Sequence, residues 1–82
     1  MKNKSDIYDR VGKIIAKEIG IDEKDIMSDM NFRLDLTADS LQIFKIIIDL
    51  EDEFGLSISD DDAEKIEKVE DAVNYIVKKL LI

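Results

Sequence analysis

The spacing of apolar residues near the start of the chain follows the period of an α-helix. Apolar side chains recur in steps of three and four at Ile7, Val11, Ile14, Ile15 and Ile19. This spacing places them on one face and predicts a first helix over about 6–19. Gly20 follows where a left-handed residue commonly ends a helix. Gly12 lowers helix stability by about 1 kcal/mol relative to alanine, so we expect close packing against another helix to compensate at that point.

Residues 20–39 lack such a period. Their apolar residues are scattered among acids at Ile21, Ile26, Met27, Met30, Phe32, Leu34 and Leu36. The pattern predicts a long loop that is anchored by apolar side chains and has room for a short turn of helix. Loops of this length in small domains are uncommon and tend to be functional.

A second helix is predicted to begin at Asp39-Ser40 and to stop before Gly55. Asp39 is a favourable N-cap, and Gln42 three residues later completes a capping-box pair. Apolar residues cover most of the remaining helix surface, at Leu41, Ile43, Phe44, Ile47, Ile48, Leu50 and Phe54. So broad an apolar arc predicts a central helix that contacts several neighbours.

Two further helices are indicated in the last third of the chain. Ser59 precedes three aspartates, which is typical of an N-cap with acids in the first turn, and a short helix should run to about Ile66. A last helix over about 69–80 has one apolar face, formed by Val69, Val73, Ile76, Val77 and Leu80. The sequence therefore predicts an all-α fold in a single domain over 1–82. Three main helices and one short helix form a small bundle, with the long loop between the first two.

The amino-acid composition excludes several classes of function. The 82 residues include no cysteine and no histidine, which excludes Ser-His-Asp and Cys-His catalysis, disulfides and the usual zinc sites, and so argues against an enzyme. A net charge of −8 disfavours nucleic-acid binding. Residues 40–64 contain eight acids and one base, Lys45, so partners should present basic patches. No apolar run is long enough for a membrane span or a secretory signal, and we expect a cytoplasmic monomer.

Ser40 is the candidate for chemistry. It directly follows the N-cap of the central helix, at the end of the long loop, where its hydroxyl lies near backbone N–H groups that have no helical partner. Such a position suits a phosphate ester, because a helix N-terminus favours negative charge. Asp-Ser is also common at helix starts, so spacing alone leaves an ordinary helix start as the alternative.

Residues 32–41 read FRLDLTADSL. This segment resembles the phosphopantetheine attachment site of the acyl carrier protein family, whose pattern is Phe-x-x-Asp-Leu-Gly-x-Asp-Ser-Leu, and the similarity extends over about residues 7–77. The resemblance implies that Ser40, between Asp39 and Leu41, carries a 4′-phosphopantetheine arm derived from coenzyme A through a phosphodiester. The thiol of that arm would hold an acyl group as a thioester, and the carrier itself would catalyse nothing.

The resemblance also implies two surfaces. An acyl-chain cleft under the second and third helices would be formed by Phe32, Leu36, Leu50, Ile58, Ala63, Ile66 and Tyr75. Partner docking would involve Gln42, Lys45, Ile48, Glu51, Asp52, Asp60 and Asp61. The implied partners are a phosphopantetheinyl transferase and the enzymes of fatty-acid synthesis or related acyl transfer. The cleft residues could equally form an ordinary core, and both interpretations can hold together.

Three departures from the family pattern bear on these expectations. Thr37 replaces a frequent glycine, and because a β-branched residue resists positive φ, we expect an ordinary backbone there. Gln42 and Lys45 stand where many fatty-acid carriers have acids, which favours a dedicated carrier for polyketide, peptide or specialised lipid assembly as an alternative. An acidic helical adaptor that never receives the arm is the alternative from another class.

Overall fold

The computed structural model describes residues 3–81, so residues 1, 2 and 82 of the predicted domain lie outside the described part. Its elements are α1 (Lys4–Ile19), a 3-10 helix (Glu23–Asp25), α2 (Ser40–Phe54), α3 (Asp60–Glu64) and α4 (Val69–Leu81). The predicted all-α bundle of three main helices and one short helix is confirmed. The short helix ends two residues before Ile66, and α1 begins two residues earlier than its apolar pattern indicates. Within residues 3–81, no helix combines the length and hydrophobicity that crossing a bilayer requires.

Local capping explains where the helices begin and end. Asp39 Oδ1 accepts a hydrogen bond from Gln42 N at 2.8 Å, and Gln42 Oε1 accepts one from Asp39 N at 3.1 Å, which completes the predicted capping box. Ser59 Oγ accepts from Asp62 N at 3.1 Å and caps α3. Gly55 ends α2 with a left-handed backbone at φ 63°, a conformation that glycine adopts without steric cost.

The core lies where α1 packs against both α2 and α4. The seven largest side chains that are essentially inaccessible to solvent come from these three helices: Ile7, Val11, Ile15, Ile46, Leu50, Val69 and Ile76. Full burial of each contributes roughly 1.5–3 kcal/mol, so they account for much of the stability of the bundle. Among the described residues no charged or polar side chain is buried, and the excess of acids therefore lies on the surface.

The apolar arc of α2 is only partly covered. Its buried residues are Ile46, Ile47, Leu50 and Phe54. By contrast, Leu41, Phe44 and Ile48 are 61%, 59% and 38% exposed. The apolar arc is therefore broader than the buried face of α2, because the bundle covers one side of the helix and leaves the other to solvent. We refer to Leu41, Phe44 and Ile48 as the exposed stripe.

The C-terminal end of α2 is attached to α1 through Arg10. The Arg10 Nε donates to Glu53 Oε2 at 2.7 Å, its Nη2 donates to the backbone oxygen of Glu53 at 3.1 Å, and the guanidinium lies 4.5 Å from the Phe54 ring centroid. Helix C-termini leave carbonyls without an internal partner, and Arg10 satisfies one of them. The opposite, N-terminal end of α2 begins at Ser40, where the long loop ends.

Gly12 meets the long loop. A Cβ built on Gly12 would lie 3.7 Å from Glu23 Cγ, so its neighbour is the 3-10 helix rather than one of the three main helices. The hydroxyl of Tyr8, one turn earlier, donates to the backbone oxygen of Ile26 at 2.8 Å. Both contacts hold the first half of the loop against α1.

Candidate functional site

The loop that leads to Ser40 is folded into a closed turn. The backbone oxygen of Asn31 accepts hydrogen bonds from Asp35 N at 2.9 Å and Leu36 N at 3.1 Å. Its side-chain oxygen accepts from Arg33 N at 2.9 Å and Leu34 N at 3.0 Å. Asparagine commonly organises turns in this way. Asn31 therefore organises the backbone of the turn over residues 31–36.

Backbone hydrogen bonds fix this turn to the segment between α3 and α4. Phe32 N donates to Glu67 O at 2.9 Å, and Val69 N donates to Met30 O at 3.0 Å. A single antiparallel bridge joins Asn31 and Lys68. The side chain of Phe32 is only 3% exposed. These long-range contacts hold the loop in place and so determine what lies beside the start of α2.

Ser40 is the first residue of α2 and is exposed to solvent. Asp39 provides the N-cap, so the Ser40 hydroxyl is not needed for capping. The neighbouring polar group is the guanidinium of Arg33, whose Nη1 donates to Ser40 Oγ at 3.4 Å. The site therefore combines an accessible hydroxyl, a helix N-terminus and an arginine, and these are features that accommodate a phosphate ester.

Thr37 has a left-handed backbone, with φ at 54°, and the expectation of an ordinary conformation there is wrong. The two flanking residues explain this, because Leu36 and Ala38 are each 5% exposed and both face the core. Thr37 lies between them at the surface, and its hydroxyl donates to Leu36 O at 2.7 Å. Left-handed backbone at a non-glycine residue costs about 1–3 kcal/mol and is often found at functional sites.

A cavity of about 310 Å³ opens between the loop, α2 and α3. Its lining residues are Asn31, Phe32, Arg33, Ile43, Ala63, Glu64, Ile66 and Glu67. Three predicted cleft residues, Phe32, Ala63 and Ile66, are thus brought together. Arg33 lines the same cavity and also contacts Ser40, so the cavity is adjacent to the candidate serine. Ile43 also lines the cavity but is not among the predicted cleft residues, although its position three residues after Ser40 was a usable signal.

The other predicted cleft residues lie elsewhere. Leu36, Leu50 and Ile58 are buried in the core and do not line this cavity. Tyr75 lines a separate cavity of about 270 Å³, which it shares with Ile66. The structure therefore divides the predicted set into a cavity wall, a core and a residue on α4.

Tyr75 connects α4 to α3 through a hydrogen bond that its hydroxyl donates to Asp62 Oδ2 at 2.9 Å. This bond is the main reason that the pKa of Asp62 is lowered from its ordinary value. Burial is the main reason that the pKa of Tyr75 is raised, and the bond to Asp62 raises it further. Both shifts favour the neutral phenol and the ionised carboxylate at neutral pH.

Of the predicted docking residues, Ile48 belongs to the exposed stripe. Lys45, Asp52, Asp60 and Asp61 are exposed. Gln42 is engaged in the capping box, and the Glu51 carboxylate accepts a hydrogen bond from Ile58 N at 2.7 Å. The structure therefore presents some of these side chains to a partner and uses others internally.

The sequence did not indicate that two large apolar side chains, one in the loop and one on α2, are exposed. Leu34 is 81% exposed and Phe44 is 59% exposed. The signal for Phe44 was the second apolar side of α2, because a bundle this small cannot cover a helix on all sides. In the described part of the chain, no three acidic side chains converge to hold a metal ion.

Comparison with known proteins agrees with this geometry. A family model described as "Phosphopantetheine attachment site" matches residues 9–76. The chain is also similar to the solved structure of an acyl carrier protein from Enterococcus faecalis, with 42% sequence identity and a TM-score of 0.78. That similarity covers 94% of this chain and 98% of the other. Sequence and fold are thus similar over nearly the whole length of both proteins.

Proposed function

The chain belongs to the acyl carrier protein family, and from this premise we propose that Ser40 is the residue that carries its 4′-phosphopantetheine arm. The observation that supports this assignment is the exposed hydroxyl at the first residue of α2, which Asp39 leaves free by providing the cap. Ser40 also occupies the serine position of the motif FRLDLTADSL. The protein functions as a carrier of acyl groups, and we propose that it catalyses no reaction itself.

The residues at this end of α2 fit a phosphodiester. The N-terminus of a helix carries a partial positive charge and backbone N–H groups without helical partners. Arg33 adds a full positive charge within 3.4 Å of the Ser40 hydroxyl. When bound, the arm supplies a terminal thiol that holds the acyl group. The protein contributes the attachment point, the local charge and a cavity next to both.

We assign the acyl-chain site to the 310 Å³ cavity, because Phe32, Ala63 and Ile66 form its apolar wall. Arg33 borders both the cavity and Ser40, so a chain tethered at Ser40 has a short path to the opening. The half-buried side chain of Ile43 adds a further apolar surface on α2. Leu36, Leu50 and Ile58 belong to the buried core instead.

The proposed partners are a phosphopantetheinyl transferase and the enzymes of fatty-acid or related acyl-chain biosynthesis. Each partner would bind the exposed stripe in an apolar groove on its own surface. Basic residues at the edge of that groove would face Asp52, Asp60 and Asp61, which are exposed. Lys45 adds a positive charge on the same helix and favours the alternative of a dedicated pathway. We further propose that the protein is a monomer and acts in the cytoplasm.

The attachment residue is tested by intact mass spectrometry after incubation with coenzyme A and a phosphopantetheinyl transferase. The wild type and Ser57→Ala should each gain the mass of one arm, whereas Ser40→Ala should gain none. Ser57 is a suitable control because it is an exposed serine outside the helices. Circular dichroism should show that Ser40→Ala is folded, since the capping box of Asp39 and Gln42 does not use Ser40.

Two results would contradict the proposal in different ways. A mass gain in Ser40→Ala would place the arm on another residue. No mass gain in the wild type, with a known carrier modified in the same reaction, would favour the acidic adaptor.

A further inference from the structure

We propose that Arg33 is a phosphate-binding residue whose guanidinium pairs with the phosphodiester at Ser40. This inference rests on the proposed function of Ser40 and adds a role for a side chain of the loop. Arginine suits this role because its planar, permanently charged fork can donate two parallel hydrogen bonds to phosphate oxygens.

The position of Arg33 is determined by the turn that contains it. Asn31 Oδ1 accepts a hydrogen bond from Arg33 N at 2.9 Å, and the neighbouring Phe32 is buried. This arrangement places the guanidinium beside a residue seven positions later in the sequence, with Nη1 3.4 Å from Ser40 Oγ. A phosphate attached to that oxygen would therefore be formed next to the guanidinium.

Among the described residues 3–81, Arg33 has no competing ion pair. Within residues 3–81, the side-chain ion pairs shorter than 4.0 Å join Arg10 to Glu53 and Lys24 to Asp22. Glu64 and Glu67 line the same cavity as Arg33, yet neither carboxylate reaches its guanidinium within that distance. An arginine has five N–H donors, so donors remain for a phosphate.

The positive charge of Arg33 should reduce electrostatic repulsion, because the chain around it is acidic. Asp39, directly before Ser40, is exposed, and the chain carries a net charge of −8. A phosphodiester adds another negative charge at the start of α2. Arg33 is positioned to offset the added repulsion, and its contribution should decrease as salt screens exposed charges.

The test compares the arm-bearing forms of four proteins by phosphorus NMR at 10 and 300 mM NaCl. The proteins are the wild type, Arg33→Gln, Arg33→Lys and Lys13→Gln, which removes an exposed cation from α1 and controls for net charge. We expect the phosphorus resonance of Arg33→Gln to differ from that of the wild type at low salt. At 300 mM NaCl the phosphorus resonance of the wild type should shift towards that of Arg33→Gln. The resonance of Lys13→Gln should match that of the wild type. The resonance of Arg33→Lys should be intermediate, because lysine keeps the positive charge but lacks the planar guanidinium.

Thermal melting of each protein before and after attachment supplies a second readout. Attachment should lower the melting temperature of Arg33→Gln by about 1–5 °C more than that of the wild type, as expected for one partly exposed charge pair. Identical resonances and identical melting shifts in the wild type and Arg33→Gln would overturn the inference. Failure of the wild type to accept an arm would instead contradict the proposed function.

Discussion

The left-handed backbone at Thr37 predicts an inverted ranking of glycine and alanine at this position. At most positions glycine is less stable than alanine, because it loses more conformational freedom on folding. Thr37 has φ at 54°, where a side chain of any size clashes with the backbone and glycine does not. Thr37→Gly should therefore be more stable than Thr37→Ala, although both variants lack the hydroxyl that donates to Leu36 O.

The magnitude follows from two opposing effects. Relief of the left-handed conformation contributes about 1–2 kcal/mol in favour of glycine. The extra entropy of glycine in the unfolded chain costs about 0.5–1 kcal/mol. The centres of these two ranges differ by about 0.75 kcal/mol in favour of Thr37→Gly, which corresponds to about 3–6 °C in melting temperature for a domain of this size.

The assay is urea unfolding of both variants at 25 °C, followed by circular dichroism and supported by thermal melts. Ser57→Gly and Ser57→Ala provide the matched control, since Thr37 alone among the described non-glycine residues has a positive φ. At Ser57 alanine should be the more stable of the two. If alanine is also more stable than glycine at position 37, the strain at Thr37 is absent in solution and the reasoning is refuted.

Four further perturbations test other parts of the structure. Tyr75→Phe should lower stability at pH 7, because it removes the bond that lowers the pKa of Asp62. A lowered carboxyl pKa stabilises the fold above the unfolded value of 3.8 and less so as pH falls. The difference in melting temperature between wild type and variant should therefore shrink from pH 7 to about pH 2, and a constant difference would exclude the coupling. The free energy of unfolding of C4 to C10 acyl forms should rise by up to about 0.8 kcal/mol per buried CH₂ and then level off. Thermal melts of the series would show the same rise and plateau in melting temperature. Ala63→Leu should shift that plateau to shorter chains, and a flat series would place the chain in solvent. Lys45→Glu should raise kcat/KM with a general fatty-acid ketosynthase most at low salt, and unchanged rates would place Lys45 outside the interface. Gly12→Ala should stabilise the protein by about 1 kcal/mol, because the added Cβ meets Glu23 at an ordinary 3.7 Å; a loss of stability would indicate closer packing.

The features that could be predicted from the sequence depend on residues close together in the chain. A capping box joins positions three apart, so Asp39 and Gln42 indicated the start of α2, and Ser59 indicated the start of α3. Helical periodicity likewise relates residues three and four apart, which is why the apolar faces of α1 and α4 were evident. The motif around Ser40 is similarly local, and it led to the family and to the proposed attachment residue.

The features that the sequence left open depend on contacts between distant segments. Periodicity shows that α2 has apolar residues on two sides, but only its packing against α1 in the folded bundle determines which side is buried. The backbone of Thr37 follows from the requirement that both Leu36 and Ala38 reach the core. The contact of Arg33 with Ser40 depends on the bonds between the loop and the segment before α4, such as Phe32 N to Glu67 O. These pairings are decided by the folded chain as a whole, because each one exists only when segments far apart in sequence have come together.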